Sequence, residues 1–136
     1  MTVAERCLQI LLRVVGTAGL LAIPFFLVPH DWLDVIHQRL GMGEFPDIPV
    51  TGYLARTASA LHAVIGGLLW TVSFDLPRHR RVIAYLGIAF VLYGIAMLAV
   101  NVTQGMPLWW IGWEGPFNLA FGSMLLGLRV RLVIRD

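Results

Sequence analysis

The sequence predicts an all-α integral membrane protein: an antiparallel bundle of four transmembrane helices, with a short amphipathic helix in the first outer connection and one domain over residues 1–136. Three observations predict this class. The chain is 58% hydrophobic and only 13% charged, far from the composition of an ordinary soluble domain. Its apolar residues form four segments, each near the roughly 20 residues that span a bilayer as a helix. Small residues recur within these segments at helical spacing, as helix contacts in lipid require.

The apolar segments define the spans, because lipid offers backbone groups no hydrogen-bonding partner and such segments must be helical. The predicted spans are residues 8–28, 53–74, 82–102 and 115–134. A secretory signal peptide is the alternative for the first segment, since Arg6 and Arg13 precede its apolar core. That core is followed by Pro29, His30 and Asp31 with no Ala-x-Ala type cleavage site. We therefore expect the first segment to be retained as a span.

The connection after the first span is predicted to form an amphipathic helix over residues 31–40. Pro24 lies just before Pro29, so the outer end of the span should kink or unwind where the ring removes a backbone donor. Asp31 can then act as the N-cap and Gly41 can end the helix. One side carries Trp32, Val35, Ile36 and Leu40, and the other carries Asp34, His37 and Gln38. We expect this helix to lie on the outer leaflet. The alternative is a lid packed on the bundle.

The distribution of arginine predicts the orientation in the membrane. All ten basic residues are arginine, and eight of them lie in three regions on one side of a four-helix topology. These eight are Arg6, Arg13, Arg78, Arg80, Arg81, Arg129, Arg131 and Arg135. By the positive-inside rule, both termini are cytoplasmic. The basic charge is therefore a topology signal and a contact for anionic lipids, and we expect no nucleic-acid partner.

Small and polar residues mark the faces on which the helices are expected to meet. In the second span these are Ser59, His62, Gly66 and Ser73; in the third, Gly87, Gly94 and Asn101; in the fourth, Asn118, Gly122, Ser123 and Gly127. Small residues let backbones approach closely in lipid, where the hydrophobic effect between helices is weak. These stripes are sufficient for one antiparallel four-helix bundle, and packing alone explains the glycines.

Several of these segments together resemble a known group. They are YLARTASALHAVIGGLLW, the basic turn DLPRHRR, and EGPFNLAFGSMLLGL. Over nearly its whole length the chain looks like the DoxX-like group of small four-helix bacterial membrane proteins, with an arginine early in helix two and an acidic residue at the start of helix four. The resemblance implies a location in the bacterial inner membrane. Some members are regarded as membrane subunits of quinone-linked oxidoreductases. The resemblance transfers no catalytic residue.

Arg56 and His62 are candidate site residues in the second span. From Thr57 to Phe74 the sequence is uncharged, which is about 27 Å of helix against a hydrocarbon thickness of about 30 Å. Arg56 then lies at the outer boundary, where it either snorkels to the headgroups or serves a site. His62 lies about 9 Å deeper. We expect it to face the bundle and make an interhelical hydrogen bond. Haem or metal ligation is disfavoured, because no second histidine lies at that depth.

Asn101, Glu114 and Asn118 complete the candidate ligand-binding set. With Arg56 and His62, they are predicted to hold the polar head of a quinone or lipid in the outer half of the bundle. We also expect Arg56 and Glu114 to form an ion pair, since two opposite charges at a membrane boundary cost less together than apart.

The depth of Glu114 depends on where the last helix begins. A start at Leu108 would place Glu114 about 9 Å inside. The start at Pro116 that we favour leaves it near the surface, because proline suits the first turn of a helix. The nearby Trp109, Trp110 and Trp113 are interpreted as an aromatic belt at the interface rather than as a ligand box.

The sequence contains no recognised catalytic motif. A dinucleotide fingerprint, a P-loop, HExxH, CxxC and a nucleophile elbow are all absent. We predict no catalytic residue and no metal-binding set. The expected protein is a non-enzymatic bundle or an accessory subunit of a membrane complex, in contact with membrane lipids and assembled as a homo-oligomer or with other subunits. Two alternatives stay open: a membrane subunit of a quinone-linked oxidoreductase, and a small oligomeric transporter.

Overall fold

A computed structural model describes residues 2–133, and all regular secondary structure in that range is helical. The helices are α1 Val3–Leu20, α2 Ile23–Leu27, α3 His30–Arg39, α4 Pro49–Val72, α5 Arg80–Thr103, α6 Leu108–Ile111 and α7 Glu114–Val133. The all-α prediction is confirmed for this part of the chain. Ile134, the last residue of the fourth predicted span, and Arg135 lie outside the described residues.

The first predicted span, residues 8–28, is not one continuous helix. α1 ends at Leu20, and the short α2 follows from Ile23 with Pro24 among its first two residues. In an unbroken helix the Pro24 ring would meet the carbonyl group of Leu20 and would leave it without its usual donor. The chain therefore closes one helix and starts another. The helix is thus interrupted at residues 21–22, in the turn whose hydrogen bond Pro24 cannot donate, as the sequence predicts.

α1 also begins earlier than predicted, because its start is capped. The backbone N–H of Glu5 donates to the Thr2 hydroxyl at 3.1 Å, and the backbone N–H of Thr2 donates to Glu5 Oε2 at 2.6 Å. This reciprocal arrangement is a capping box, and it supplies two of the donors that a helix start leaves unpaired. The T-x-x-E pattern is visible in the sequence, but the apolar run alone does not include it.

The other long helices differ from the predicted spans at their ends. α5 extends the predicted 82–102 by two residues at its start and one at its end. α4 begins at Pro49, where the missing N–H costs nothing, and ends at Val72. α7 begins at Glu114, not after it, so this carboxylate belongs to the first turn and complements the helix dipole.

Two helical stretches within residues 2–133 are long and apolar enough to cross a membrane: Val3–Leu27, which includes α1 and α2, and Arg80–Thr103. The sequence predicts four spans. α4 carries Arg56 and His62, and α7 carries Glu114 and Asn118, which makes both helices less apolar than α5. The four-span arrangement remains a prediction.

The chain divides into two compact units. The first contains the described residues of 1–12 and 72–136, and the second contains residues 13–71. The single domain predicted for residues 1–136 stays a prediction. Among the described residues, the second unit has one buried large apolar residue, Leu69. Those of the first unit are Leu8, Leu12, Val72, Leu76, Ile83, Leu86, Phe121 and Leu125.

In the first unit, α5 and α7 approach each other through glycines. A Cβ atom added at Gly122 would lie 2.6 Å from the carbonyl oxygen of Gly87, and one added at Gly94 would lie 2.8 Å from that of Gly115. Real Cβ atoms do not come so close to a carbonyl oxygen. The backbones are therefore in contact along this line, as small-residue pairing in lipid allows.

In the second unit, α1 meets α4 by the same means. A Cβ atom added at Gly19 would lie 2.7 Å from the carbonyl oxygen of His62 and 3.0 Å from Cα of Gly66. Beside this contact, the Trp70 indole N–H donates to the Thr17 hydroxyl at 3.0 Å, and the Arg13 guanidinium lies 5.1 Å from the centre of the Trp70 ring. The indole is thus bonded at its edge and covered on one face.

The connection between α3 and α4 folds back on one side of α3. The Phe45 ring lies 5.2 Å from that of His30 and 5.3 Å from that of His37, and the Phe45 N–H donates to Asp34 Oδ1 at 2.8 Å. His30 Nε2 lies 3.7 Å from Asp47 Oδ1. We call these contacts the Phe45 clasp. They pin the connection to the polar side of α3.

The clasp is supported by the charge on Asp34. The Phe45 N–H, followed by the Gln38 amide and the two nearby histidines, lowers the pKa of Asp34 below its ordinary value. The ionised carboxylate is the form that these donors favour. The contribution of Asp34 to the stability of the fold is therefore complete above the usual carboxyl pKa of about 3.9. It is lost only as the pH falls through the lowered pKa of Asp34.

The glycine contact between α5 and α7 can be tested with a matched pair of variants. Gly122→Ala should lower the free energy of unfolding by about 1–3 kcal/mol, because the added methyl group must push the α5 backbone away. Gly127→Ala is the control on the same helix, since a Cβ atom there meets nothing within 4 Å. Unfolding of the detergent-solubilised protein, followed by circular dichroism, measures both. Equal losses would mean that the contact does not hold the helices.

Candidate functional site

Three of the predicted site residues come together at the C-terminal end of α5 and the start of α7. The Asn101 amide donates to Glu114 Oε2 at 2.8 Å, and the Trp110 indole N–H donates to the same oxygen at 3.0 Å. The Asn118 amide donates to the backbone carbonyl of Glu114 at 2.7 Å. We call these four residues the Glu114 cluster. In this cluster the Glu114 carboxylate accepts from two side-chain donors, and the Asn118 amide donates to a backbone carbonyl in the first turn of α7.

The spacing of small residues explains why these side chains meet. Gly87, Gly94 and Asn101 follow one another at seven-residue intervals, so Asn101 lies on the side of α5 that packs against α7. Glu114 and Asn118 are four residues apart and share one side of α7. Because the glycines bring the two backbones into contact, a short amide can reach the carboxylate across the helix pair.

Burial makes this polar cluster expensive unless its hydrogen bonds are made. Asn101 is 4% exposed and Asn118 is also buried, whereas Glu114 is half-buried. A buried amide without a partner costs about 1–3 kcal/mol. The hydrogen bonds that the two amides donate to Glu114 meet this requirement for both asparagines. Both side-chain donors to Glu114 are neutral groups, an amide and an indole N–H.

Trp110 is the member of the cluster that sequence reasoning missed. The interpretation as an aromatic belt treats Trp109, Trp110 and Trp113 alike, but only Trp110 is bonded to the Glu114 carboxylate in the described part of the chain. The short helix α6 places Trp110 one helical turn before Glu114. The signal in the sequence is the four-residue spacing between an indole donor and a carboxylate acceptor.

Aromatic rings continue from the cluster along α7. Trp113 stacks on Phe117 with ring centroids 5.3 Å apart, and Phe117 is nearly parallel to Phe121 at 6.3 Å. Phe121 in turn meets Phe90 of α5 edge to face at 4.8 Å. The polar cluster is therefore bordered by a row of aromatic side chains, of which Phe121 is buried.

Arg56 belongs to the second unit and has its own partners there. One guanidinium nitrogen donates to the Gly52 carbonyl oxygen and the other to the Val28 carbonyl oxygen, both at 3.3 Å. The side chain thus ties α4 to the residue that follows α2. The ion pair predicted between Arg56 and Glu114 would join residues of the two units, and it stays a prediction.

The side chain of His62 is predicted to face the helix bundle, and this prediction is wrong. Its side chain is exposed, and Nδ1 lies 2.7 Å from the Ala58 carbonyl oxygen of the same helix. The expected interhelical bond is replaced by a bond one turn back. The cause is that the backbone of His62, not its side chain, packs against Gly19. The predicted grouping of His62 with Asn101 and Asn118 spans both units and stays a prediction.

Metal coordination and similarity to known proteins do not identify a function. Within residues 2–133, no group of three or more His, Cys, Asp or Glu side chains is placed to hold a metal ion. No protein-family model, curated protein or solved structure matches this chain. The candidate site is therefore judged from the hydrogen-bonding groups of the Glu114 cluster. Both side-chain donors use Oε2, and a carboxylate can accept further hydrogen bonds at its other oxygen.

The role of Trp110 in the cluster can be measured by removing only its N–H. Trp110→Phe should lower the free energy of unfolding by about 1 kcal/mol, because a charged acceptor loses one donor. The same change should cost clearly less in a Glu114→Ala background, since coupled partners are not additive. Trp113→Phe is the control, because phenylalanine keeps a ring that can stack on Phe117. If Trp110→Phe costs the same with and without Glu114, the bond does not stabilise the protein.

Proposed function

We propose that this protein is a small integral membrane protein, a non-enzymatic four-helix bundle that acts on its own or as an accessory subunit of a membrane complex. One observation carries the proposal. Some polar side chains are buried while many large apolar ones are exposed: Ser73 and Asn101 are buried, whereas Val64 is 68% and Leu92 is 61% exposed. Exposed apolar surface costs free energy in water, but not against lipid tails.

All four long helices contribute to this apolar exterior. Exposed apolar side chains include Ile10 and Val14 on α1, Leu54, Leu61 and Val64 on α4, Ile88, Leu92 and Ile95 on α5, and Met124 and Val130 on α7. This distribution supports α4 and α7 as spans beside the two more apolar stretches. A surface patch of a soluble monomer is seldom so extensive.

The ends of the helices support an orientation. Basic residues gather at and just before the start of α5, in Arg78, Arg80 and Arg81, and the acidic Glu114 lies at the start of α7. With four spans, the positive-inside rule puts both termini in the cytoplasm. The resemblance to the DoxX-like group agrees with this arrangement and with the bacterial inner membrane as the location.

The Glu114 cluster supports a ligand-binding role within this proposal. We take the ligand to be lipid-like or quinone-like, with its polar head at the cluster and its apolar part along the aromatic row of α7. A carboxyl group that accepts hydrogen bonds favours a head that donates them, such as a quinol hydroxyl or a lipid ammonium group. The homo-oligomer or complex partner proposed for the bundle would cover part of the apolar exterior.

The membrane location and the orientation can be tested together. Carried in a Cys7→Ser background, a cysteine at Gln104 should react with a membrane-impermeant maleimide on intact cells, and a cysteine at His79 should not, because the two loops lie on opposite sides of the membrane. The protein should also stay in the membrane pellet after alkaline carbonate extraction. Efficient labelling at position 79 would overturn the orientation, and release by carbonate would overturn the function.

Ligand binding can be tested by what the protein retains during purification. In mild detergent, the wild type should retain a lipid or quinol that mass spectrometry detects, and Glu114→Gln should retain several-fold less, because the amide cannot accept as a charged group does. Glu44→Gln, a change in an exposed acidic residue of the α3–α4 connection, is the matched control. Equal retention by both variants would remove Glu114 from the site. A haem absorption band would favour the quinone-linked oxidoreductase instead.

A further inference from the structure

Helix α3 has two unlike sides, and only one of them is covered by the chain. The Phe45 clasp occupies the polar side. On the other side, Trp32, Val35, Ile36 and Arg39 line a shallow groove, at the i, i+3, i+4, i+7 spacing of one helix face. Trp32 is 66% exposed and Val35 is 48% exposed. We call these four residues the α3 apolar face.

We infer that the α3 apolar face rests on the phospholipid surface of the membrane that the protein spans, and that the Phe45 clasp determines which side of α3 meets the lipid. The inference depends on the proposed function, since it requires the protein to be in a membrane. It adds a second type of lipid contact to the spanning helices: a helix in the headgroup region, with Arg39 at a phosphate.

The first argument is the continuity of the chain. Only Val28 and Pro29 separate α3 from Leu27, the last residue of the apolar stretch Val3–Leu27. Three residue steps of extended chain cover at most about 10 Å. If that stretch spans the membrane, α3 must begin at the membrane boundary. Phe25 and Phe26, which are exposed, lie in α2 just before this boundary.

The second argument is the division of charge between the two sides. The α3 apolar face carries a single charged side chain, Arg39, at its C-terminal end. The carboxylates of Asp34 and Asp47 are engaged on the clasp side, by the Phe45 N–H and by His30. The charged member of the face that would meet phosphate groups is therefore a cation, and the carboxylates of Asp34 and Asp47 lie on the other side. Tryptophan and arginine are also the side chains that place an apolar body in lipid and a polar tip at headgroup depth.

The third argument is that the clasp prevents α3 from rolling. To turn its polar side toward lipid, the helix would have to break the 2.8 Å bond from the Phe45 N–H to Asp34 and separate the Phe45 ring from His30 and His37. The clasp therefore presents Trp32 and Val35 outward. This favours the surface helix over the lid, because a lid would bury these two side chains.

The inference can be tested with fluorescent probes on the full chain in nanodiscs that contain phosphatidylcholine and phosphatidylglycerol. In a Cys7→Ser background, an environment-sensitive probe is attached at Ile36→Cys or, as the matched control on the opposite side of the same helix, at Gln38→Cys. The probe at position 36 should emit at shorter wavelength and be quenched several-fold more by a lipid with a nitroxide near its headgroup. The probe at position 38 should be quenched more by aqueous iodide.

Each other outcome overturns a stated part of the inference. Equal iodide quenching at both positions would place the face in water, and shielding of position 36 from both quenchers would mean that protein covers it. Phe45→Ala should reduce the contrast between the two positions while the helix content measured by circular dichroism is kept; an unchanged contrast would remove the clasp from the inference. Carbonate extraction of the same labelled variants separates the two proposals, because a protein that stays in the pellet keeps its membrane function even if α3 does not touch lipid.

Discussion

Backbone contact between helices is the constraint on which the rest of the structure depends. Where Gly87 meets Gly122, and where Gly19 meets Gly66, no side chain separates the helices. Close approach of this kind adds dispersion contacts where apolar burial gives little advantage, as in lipid. It also leaves the larger apolar side chains to point outward. The exposed apolar exterior and the close helix pairs are thus two results of one packing solution.

The position of the polar groups follows from the same contact. An asparagine side chain is short, and Asn101 reaches Glu114 because the glycines before it bring α5 against α7. Larger residues at Gly94 or Gly115 would separate the helix ends and leave the buried amide without its acceptor. A cluster that resembles a ligand site is therefore also a reporter of helix packing, and its two roles have to be separated by variants that keep the packing intact.

Much of this arrangement could be predicted from the sequence, because regular spacing carries over directly into helix faces. Asn101 and Asn118 are predicted from such spacing, and Glu114 as the acidic residue at the outer end of the last span; the structure brings the three together. Other features depend on local bonds that periodicity does not reveal. The break after Leu20 depends on the geometry of Pro24. The hydrogen bond from Trp110 to Glu114 depends on the four-residue helix α6, which is too short to show a hydrophobic periodicity in the sequence. The prediction that the His62 side chain faces the bundle is wrong, because a residue can contribute its backbone to a helix contact while its side chain points away.

The seven-residue spacing from Gly87 through Gly94 to Asn101 also restricts how this chain can change in length. Each residue added to or removed from a helix turns everything beyond it by about 100°. One deletion between Gly94 and Asn101 would leave the apolar character of α5 almost unaltered, yet it would rotate the asparagine off the side that faces α7. The phase of α5 is therefore a stricter requirement than its composition, and insertions are tolerated more readily in its flanking turns than within the helix.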